Sequence, residues 1–446
     1  MSGLALILKG KGFRVSGSDI RESERTEKLK QAGINISIGH AKGQVWGADL
    51  VIFNTDVPED NVELVAAKES NIEIVHRSEL LAAVLHSGLG IAVTGTHGKT
   101  TTTSMLGLVL EQAGLDPTVV VGGEVDAFGG TGKAGQGRYV VAEACESDGT
   151  FLKYHPHVAV LTNIEPEHLD HYEGDFSRVL EAFKSFIGHV DEHGLVVYCY
   201  DDEKLRELVK NSQTETISYG FNEHSWYRAI NIEFIDGGSV FDVYAGDTLL
   251  GEVSLPVPGK HNISNALASI AVGMYLGISF KVIAEALRAF RNAKRRFQII
   301  GQEQGVLVVD DYAHHPTEIK ATISAARSQT KNKVVAVFQP QRYVRTQLLM
   351  NEFSQSFGEA DEVILTEIYS PAGEKPIPGV SSEVLAQMIR DREGLPVHLF
   401  GTKEEIVQYL LEIVNEGDIV LTMGAGDIWK VAKDLVKELE ETHKVS

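Results

Sequence analysis

Cysteine is nearly absent from this sequence: Cys145 and Cys199 are the only two in 446 residues. Two thiols cannot build a disulfide scaffold or a four-cysteine zinc site, and a reducing cytoplasmic compartment suits the chain. Apolar runs of about 18 residues or more are missing too, so neither a membrane span nor an export signal is expected. Basic residues are in deficit. Lys plus Arg number 41 against 62 Asp plus Glu, a formal net charge of −21. So acidic a surface repels nucleic acid and anionic membranes, and neither is expected as a partner. A small anionic ligand needs only one local positive site. Internal repeats and low-complexity segments are also missing.

What is present is ordinary globular material, 43% hydrophobic and 23% charged, in a length that suggests about three domains. Short β-rich runs alternate with helical stretches: Asp49 to Asn54, Ile91 to Thr94, Tyr139 to Glu143, Val158 to Asn163, Val306 to Asp310, Val334 to Phe338, Val363 to Thr366 and Ile419 to Met423. These read as strands buried on both faces with helices between them, an α/β architecture. A small-residue break at His86 to Gly90 and a basic stretch at Arg291 to Arg296 suggest boundaries. The expected division is 1–87, 88–294 and 295–446. Within the central part, Thr216 to Leu255 alternates polar and apolar residues around Asp236-Gly237-Gly238 and Ala245-Gly246-Asp247, which predicts antiparallel hairpins.

The most informative stretch is Ile91-Ala-Val-Thr-Gly95-Thr96-His97-Gly98-Lys99-Thr100-Thr101, where a predicted strand runs through a glycine-bearing turn into a helix. Glycines let backbone N–H groups approach a phosphate, and the helix N-terminus adds positive charge. Lys99 can reach the β- and γ-phosphates of a nucleotide, and the Thr100 hydroxyl can ligand Mg2+. The generic phosphate loop would place its first glycine at Val93; this chain has Gly95 instead. An ordinary βα turn is the bland alternative.

Acidic and histidine-bearing stretches follow the next two strands. Glu143-Ala-Cys145-Glu146-Ser-Asp148 ends one, and Thr162-Asn163-Ile-Glu165-Pro-Glu167-His168-Leu-Asp170-His171 follows the other. Ligands of open α/β sheets gather at such carboxyl ends. Carboxylates there would hold Mg2+, for which His168 is an unusual ligand. Taken alone, each stretch also fits a helix cap or a solvated acidic turn. Further on, the amides of Asn262 and Asn265 could pair with purine edges, or Asn262 could cap its helix. Arg295-Arg296-Phe297 could grip an anion across a domain joint, or form a solvated cluster. In Asp311-Tyr-Ala-His314-His315-Pro316-Thr-Glu318, Pro316 and Glu318 fit a helix start. Zinc is disfavoured there, since no cysteine is near and the spacing is not H-E-x-x-H. Arg342 and Arg345 are three apart and would share a helix face, two guanidinium forks suited to carboxylate or phosphate. Gly424-Ala-Gly426-Asp427 is half a dinucleotide fingerprint and reads as a plain turn.

Together these motifs, in order along essentially the whole chain, resemble the Mur ligases. The family resemblance implies three domains: a Rossmann-like domain for a UDP-sugar, a central phosphate-loop ATPase and a Rossmann-like C-terminal domain for an amino acid. It implies ATP-dependent joining of L-alanine to UDP-N-acetylmuramate through an acyl phosphate, a step of peptidoglycan synthesis, with ATP and Mg2+ required. The alternative within the family joins a recycled tripeptide instead. The resemblance implies that Gly95, Thr96, His97, Gly98, Lys99, Thr100 and Thr101 cradle the phosphates and that Asn262 and Asn265 contact adenine. Thr100, Glu143 and His168 would hold magnesium. Lys99, His168, His314, Arg342 and Arg345 would serve catalysis. Lys184 is a possible counterpart of a lysine that some members carbamylate.

Two departures stand out. Cys145 occupies a position where many relatives have aspartate. Met1-Ser-Gly-Leu-Ala5 resembles the end of the family's Gly-rich loop, without the strand and most of the loop that precede it. The expectation is therefore an internal methionine taken as the start or an incomplete gene fragment. The N-terminal domain would then be poorly stable, and the chain would bind ATP better than the UDP-sugar. Outside the family, the rivals are a nucleotide-driven switch indifferent to both substrates and a non-catalytic binding protein.

Overall fold

The computed structural model describes residues 1–445 apart from 168, 170 and 371–373, and side chains as far as residue 441. The described chain contains twenty strands. The N-terminal segment forms two separate parallel pairs. β1 (Ser16–Asp19) lies beside β2 (Asn35–Ile38), and β3 (Leu50–Phe53) beside β4 (Glu73–His76). No ladder joins the pairs among the described residues.

A ten-stranded sheet follows. Its strands are β5 (Leu89–Thr94), β6 (Thr118–Val125), β7 (Gly130–Lys133), β8 (Tyr139–Glu143), β9 (Val158–Leu161), β10 (Leu195–Cys199), β11 (Glu215–Gly220), β12 (Tyr227–Ile235), β13 (Gly238–Ala245) and β14 (Thr248–Leu255), in the order β14-β13-β12-β11-β10-β9-β5-β8-β6-β7. β5 has a parallel neighbour on each edge, Val93 opposite Glu143 of β8 and Thr94 opposite Leu161 of β9. This position explains its sequence. A central strand covered on both faces cannot alternate, and Ile91, Ala92 and Val93 are fully buried. Each such aliphatic side chain contributes about 1.5–3 kcal/mol of burial. The hairpins expected from Thr216 to Leu255 appear as β12, β13 and β14, joined by short turns at Asp236-Gly237 and Gly246-Asp247. β11, inside the same stretch, is instead parallel to β10, because its partner register is set by a crossover helix rather than a turn.

The C-terminal sheet comprises β15 (Gln298–Glu303), β16 (Val306–Asp311), β17 (Val334–Phe338), β18 (Glu362–Thr366), β19 (Val397–Phe400) and β20 (Ile419–Met423), in the order β15-β16-β20-β17-β18-β19. Only β15 is antiparallel to its neighbour. Apolar clusters cover both faces, one around Phe338, Phe353 and Phe357 and the other around Ile364, Leu410 and Leu435.

The chain packs as two compact units: Met1–Ile230 with Asp242–Val253 and Ser264–Arg291, and Asn231–Phe241 with Ser254–Ile263 and Asn292–Ser446. Among the described residues, no helix is long and apolar enough to cross a membrane.

Candidate active site

In the first unit, the carboxyl ends of the adjacent strands β8, β5 and β9 converge on one turn. After Thr94 the chain passes through Gly95 (φ 134°) and Gly98 (φ 82°) into the helix Lys99–Gln112. Both glycines are required by shape as well as by φ. A Cβ on Gly95 would lie 2.0 Å from Thr162 Oγ1, and one on Gly98 would lie 2.6 Å from Asn265 Oδ1. The turn is clamped from the β9 side. Thr96 N–H donates to Asn163 O (3.0 Å), His97 N–H to Asn163 Oδ1 (2.8 Å), and Thr162 Oγ1 to His97 O (2.6 Å). Glu165 N–H donates to Thr96 Oγ1 (2.8 Å), and His97 Nε2 lies 3.3 Å from Glu165 Oε2. Asp202 pins that second loop in turn, accepting from Ile164 N–H (2.9 Å) while capping its own helix through Leu205 N–H (3.0 Å).

Lys99 donates to Gly95 O, to Thr96 O (2.9 Å) and to Glu146 Oε1 (3.2 Å), with Glu146 Oε2 at 3.0 Å. Burial acts to lower the lysine's pKa. The Glu146 carboxylate, helped by Cys145 and Glu143, outweighs burial and raises it, so the ammonium stays charged. Glu146 is itself 2% exposed, and its carbonyl accepts from Tyr172 Oη (2.5 Å). Burial first, then Glu146, pushes the Tyr172 phenol up, so it stays a donor. Burial likewise raises the Cys145 thiol, which makes it unreactive.

The sequence-predicted residues divide between the units. Thr100 and Thr101 open the helix after Lys99. Glu143 ends β8, and its Oε1 accepts from Gly122 N–H (2.6 Å). Asn265 is buried, and its Oδ1 accepts from Thr102 Oγ1 (3.1 Å). Lys184 is exposed in the last turn of the helix Phe176–Ile187. His168 lies outside the described residues.

In the second unit, Asn262 is buried and donates to Pro258 O (2.7 Å). His314 follows β16. Its Nδ1 is 2.9 Å from Tyr312 O, and its N–H donates to Glu318 Oε2 (3.0 Å). Arg295 was read either as part of an anion grip or as part of a solvated cluster. It is instead built into the fold, donating to Asp310 Oδ2 (2.8 Å), Gly426 O (3.1 Å) and Gly424 O (2.6 Å). Arg296 faces Glu318 (3.4 Å). Arg342 does not share a helix face with Arg345. It precedes the short helix Tyr343–Leu348 with φ 65°, because its N–H is committed to Tyr369 O (2.9 Å). Glu374 Oε2 accepts from Tyr343 N–H (3.0 Å) at the same turn, and Arg345 Nη1 donates to Gln341 Oε1 (3.3 Å). A non-glycine residue held at such a φ stores about 1–3 kcal/mol of strain, typical of positions that carry function.

Three family models match the chain. The Mur ligase family, catalytic domain, matches 1–88; the Mur ligase middle domain, 93–273; and the Mur ligase, glutamate ligase domain, 295–426. UDP-N-acetylmuramate–L-alanine ligase of Symbiobacterium thermophilum is 51% identical over 99% of this chain and 92% of its own. The chain belongs to the Mur ligase family. The protein of the same name from Pelotomaculum thermopropionicum is 47% identical over 100% and 96%. Among solved Mur ligase structures, UDP-N-acetylmuramate-alanine ligase from Thermotoga maritima matches with a TM-score of 0.84 at 31% identity, covering 99% of this chain and 97% of that one. A murein peptide ligase from Psychrobacter arcticus matches with 0.69 at 26%, covering 98% and 95%.

The sequence did not reveal that Glu146 pairs with Lys99 or that Thr162 and Asn163 clamp its turn, although all three lie in motifs singled out above. Asp311 belongs with them. Both its oxygens accept backbone N–H groups, from Phe297 and Ala313, each at 2.7 Å. Burial pushes its pKa up to about 6, against the pull of Arg296 and those N–H groups. The folded chain therefore binds this proton more tightly than the unfolded one. The contribution is fully present below the ordinary value of 3.8 and is lost as pH rises to about 6. Thermal unfolding of the wild type and Asp311→Asn, compared at intervals from pH 4 to 6.5, should show the wild type losing ground to the variant across that window. A difference independent of pH would contradict this assignment.

Proposed function

We propose that this chain joins L-alanine to UDP-N-acetylmuramate with cleavage of ATP to ADP and phosphate. The near-full-length likeness to L-alanine ligases, closer than that to the murein peptide ligase, carries the choice of amino acid. Lys99, partly exposed in its glycine cradle, supports the nucleotide. In the first step, a carboxylate oxygen of the sugar's lactyl group attacks the γ-phosphorus. The bond from that phosphorus to the β–γ bridging oxygen breaks, and ADP leaves. In the second step, the alanine nitrogen adds to the acyl carbon, loses a proton, and expels phosphate. Phosphorylation is needed because a carboxylate is a poor electrophile. Lys99 and the N–H groups at the start of its helix stabilise the charge spread over the transferring phosphoryl group.

The hydroxyl of Thr100 and the carboxylate of Glu143 are the hard oxygen donors that Mg2+ takes, and His168 completes the proposed set. Bound there, the ion would neutralise charge on the phosphates. Asn262 and Asn265 serve the nucleotide side. Asn265 does so at least by supporting Gly98 and Thr102. His314, Arg342 and Arg345 serve the amino-acid side, where guanidinium groups suit the alanine carboxylate or the acyl phosphate. The three-part division at 87/88 and 294/295 and a cytoplasmic location, where nucleotide-linked substrates are held, belong to the same reading.

Phosphate release from the purified chain with Mg-ATP should require UDP-N-acetylmuramate and L-alanine together. Release indifferent to both would replace this reading with a nucleotide-driven switch. Faster turnover with L-alanyl-γ-D-glutamyl-diaminopimelate than with L-alanine would favour the tripeptide reaction.

A further inference from the structure

An ammonium group has three hydrogens to donate. In this chain all three have protein acceptors: Gly95 O, Thr96 O and the Glu146 carboxylate. A phosphoryl oxygen can therefore bind Lys99 only by replacing one of them. The two carbonyls belong to the loop backbone. They are immobilised by Thr96 N–H on Asn163 O (3.0 Å), by His97 N–H on Asn163 Oδ1 (2.8 Å) and by the tight fit of Gly95 against Thr162. Releasing either means reshaping the loop. Glu146 differs in kind, because its carboxylate can leave by side-chain rotation alone. Its backbone stays anchored through Tyr172 Oη, and its Oε2, 3.0 Å from the lysine nitrogen, has no hydrogen-bond partner among the described residues. It is also the one acceptor of the three with the negative charge of a phosphoryl oxygen, so the exchange trades one anionic oxygen for another.

We propose that Glu146 is the positioning residue of Lys99: it holds the ammonium over the loop and is the partner that the nucleotide phosphate displaces. This rests on the nucleotide reading above. Two consequences follow, of opposite sign. Glu146 limits the freedom of a long flexible side chain before the phosphate arrives, which lowers the ordering cost of ATP binding. It also competes with the phosphate for the same ammonium, which weakens ATP binding.

The test uses the full chain, with ATP and Mg2+ titrated calorimetrically and phosphate release followed with both co-substrates. Glu146→Gln keeps the shape and removes the charge. It should bind ATP about tenfold more tightly, as expected for losing a close buried charge competitor. Its kcat should change by no more than about threefold, because Glu146 has already left Lys99 once the phosphate is bound. Glu146→Asp keeps the charge with a shorter reach, and its Kd should lie between those of the wild type and the glutamine variant. A merely structural role would weaken binding and turnover together. Thermal unfolding identifies a glutamine variant that fails to fold, and Glu146→Asp then carries the test, with tighter ATP binding at a nearly unchanged kcat expected. ATP binding that is unchanged or weaker in the folded variants, in a wild type that does bind ATP, overturns the role of Glu146 alone. A wild type that binds no ATP overturns the nucleotide reading and this inference together.

Discussion

Replacing Lys99 with methionine should lower substrate-dependent phosphate release by about a thousandfold or more, the scale of losing a principal charge stabiliser of phosphoryl transfer. The loss has two separable parts. In the proposed reaction the ammonium is the cation that meets the phosphates, so the chemistry fails directly. It is also the counter-ion of Glu146, whose side chain is 3% exposed. Removing one partner of so buried a pair strands the other charge, at a cost of roughly 3–5 kcal/mol of stability. Thermal unfolding of Lys99→Met should show that cost. The double variant Lys99→Met with Glu146→Gln should recover most of the stability and none of the activity. A single variant as stable as the wild type would mean that the pair is not buried in solution. A double variant with restored turnover would mean that Lys99 acts on the fold and not on the phosphates.

The second large effect is expected at Gly95. An alanine there meets two obstacles at once. Its φ of 134° lies where L side chains are strained, and its Cβ would sit 2.0 Å from Thr162 Oγ1 and 2.9 Å from Asn163 O. The backbone term alone is about 1–3 kcal/mol. Relief of the clash must push away Thr162, whose hydroxyl ties together Thr94 O (3.2 Å) and His97 O (2.6 Å). Gly95→Ala should therefore lose about 3 kcal/mol or more of stability, the sum of strain and a broken buried network. It should also bind ATP at least about tenfold more weakly, because the N–H groups that line the loop move with it. A denaturant titration and an ATP titration check the two halves. Normal stability with normal ATP affinity would show that the loop accommodates a side chain and that its shape does not define the nucleotide site.

The α/β class and the strand–glycine turn–helix around Gly95 to Lys99 could be read without coordinates, because both are written locally. A strand buried on both faces must be continuously apolar. Tyr139–Glu143, Val334–Phe338 and Ile419–Met423 were accordingly legible to the residue. Gly95, Gly98, Lys99 and Thr100 lie within one turn, so their order alone implies a phosphate cradle. The hairpins between residues 227 and 255 were legible for the same reason, since short turns fix which strands pair.

Folding supplied the partners. Glu146 meets Lys99 across 47 residues, and Arg295 meets Gly424 and Gly426 across 129 and 131. Nothing periodic in the chain encodes those meetings. They exist because the strand order places β8 and β9 on either side of β5, and β20 beside β16. The same cause made Arg295 a structural bolt, neither the anion grip nor the solvated cluster that its sequence allowed, and set Arg342 ahead of its helix instead of on it. Residue type and spacing declare what a side chain can do. Which charge faces it, and so whether it is free to bind or already spent, depends on strands that are neighbours only in space.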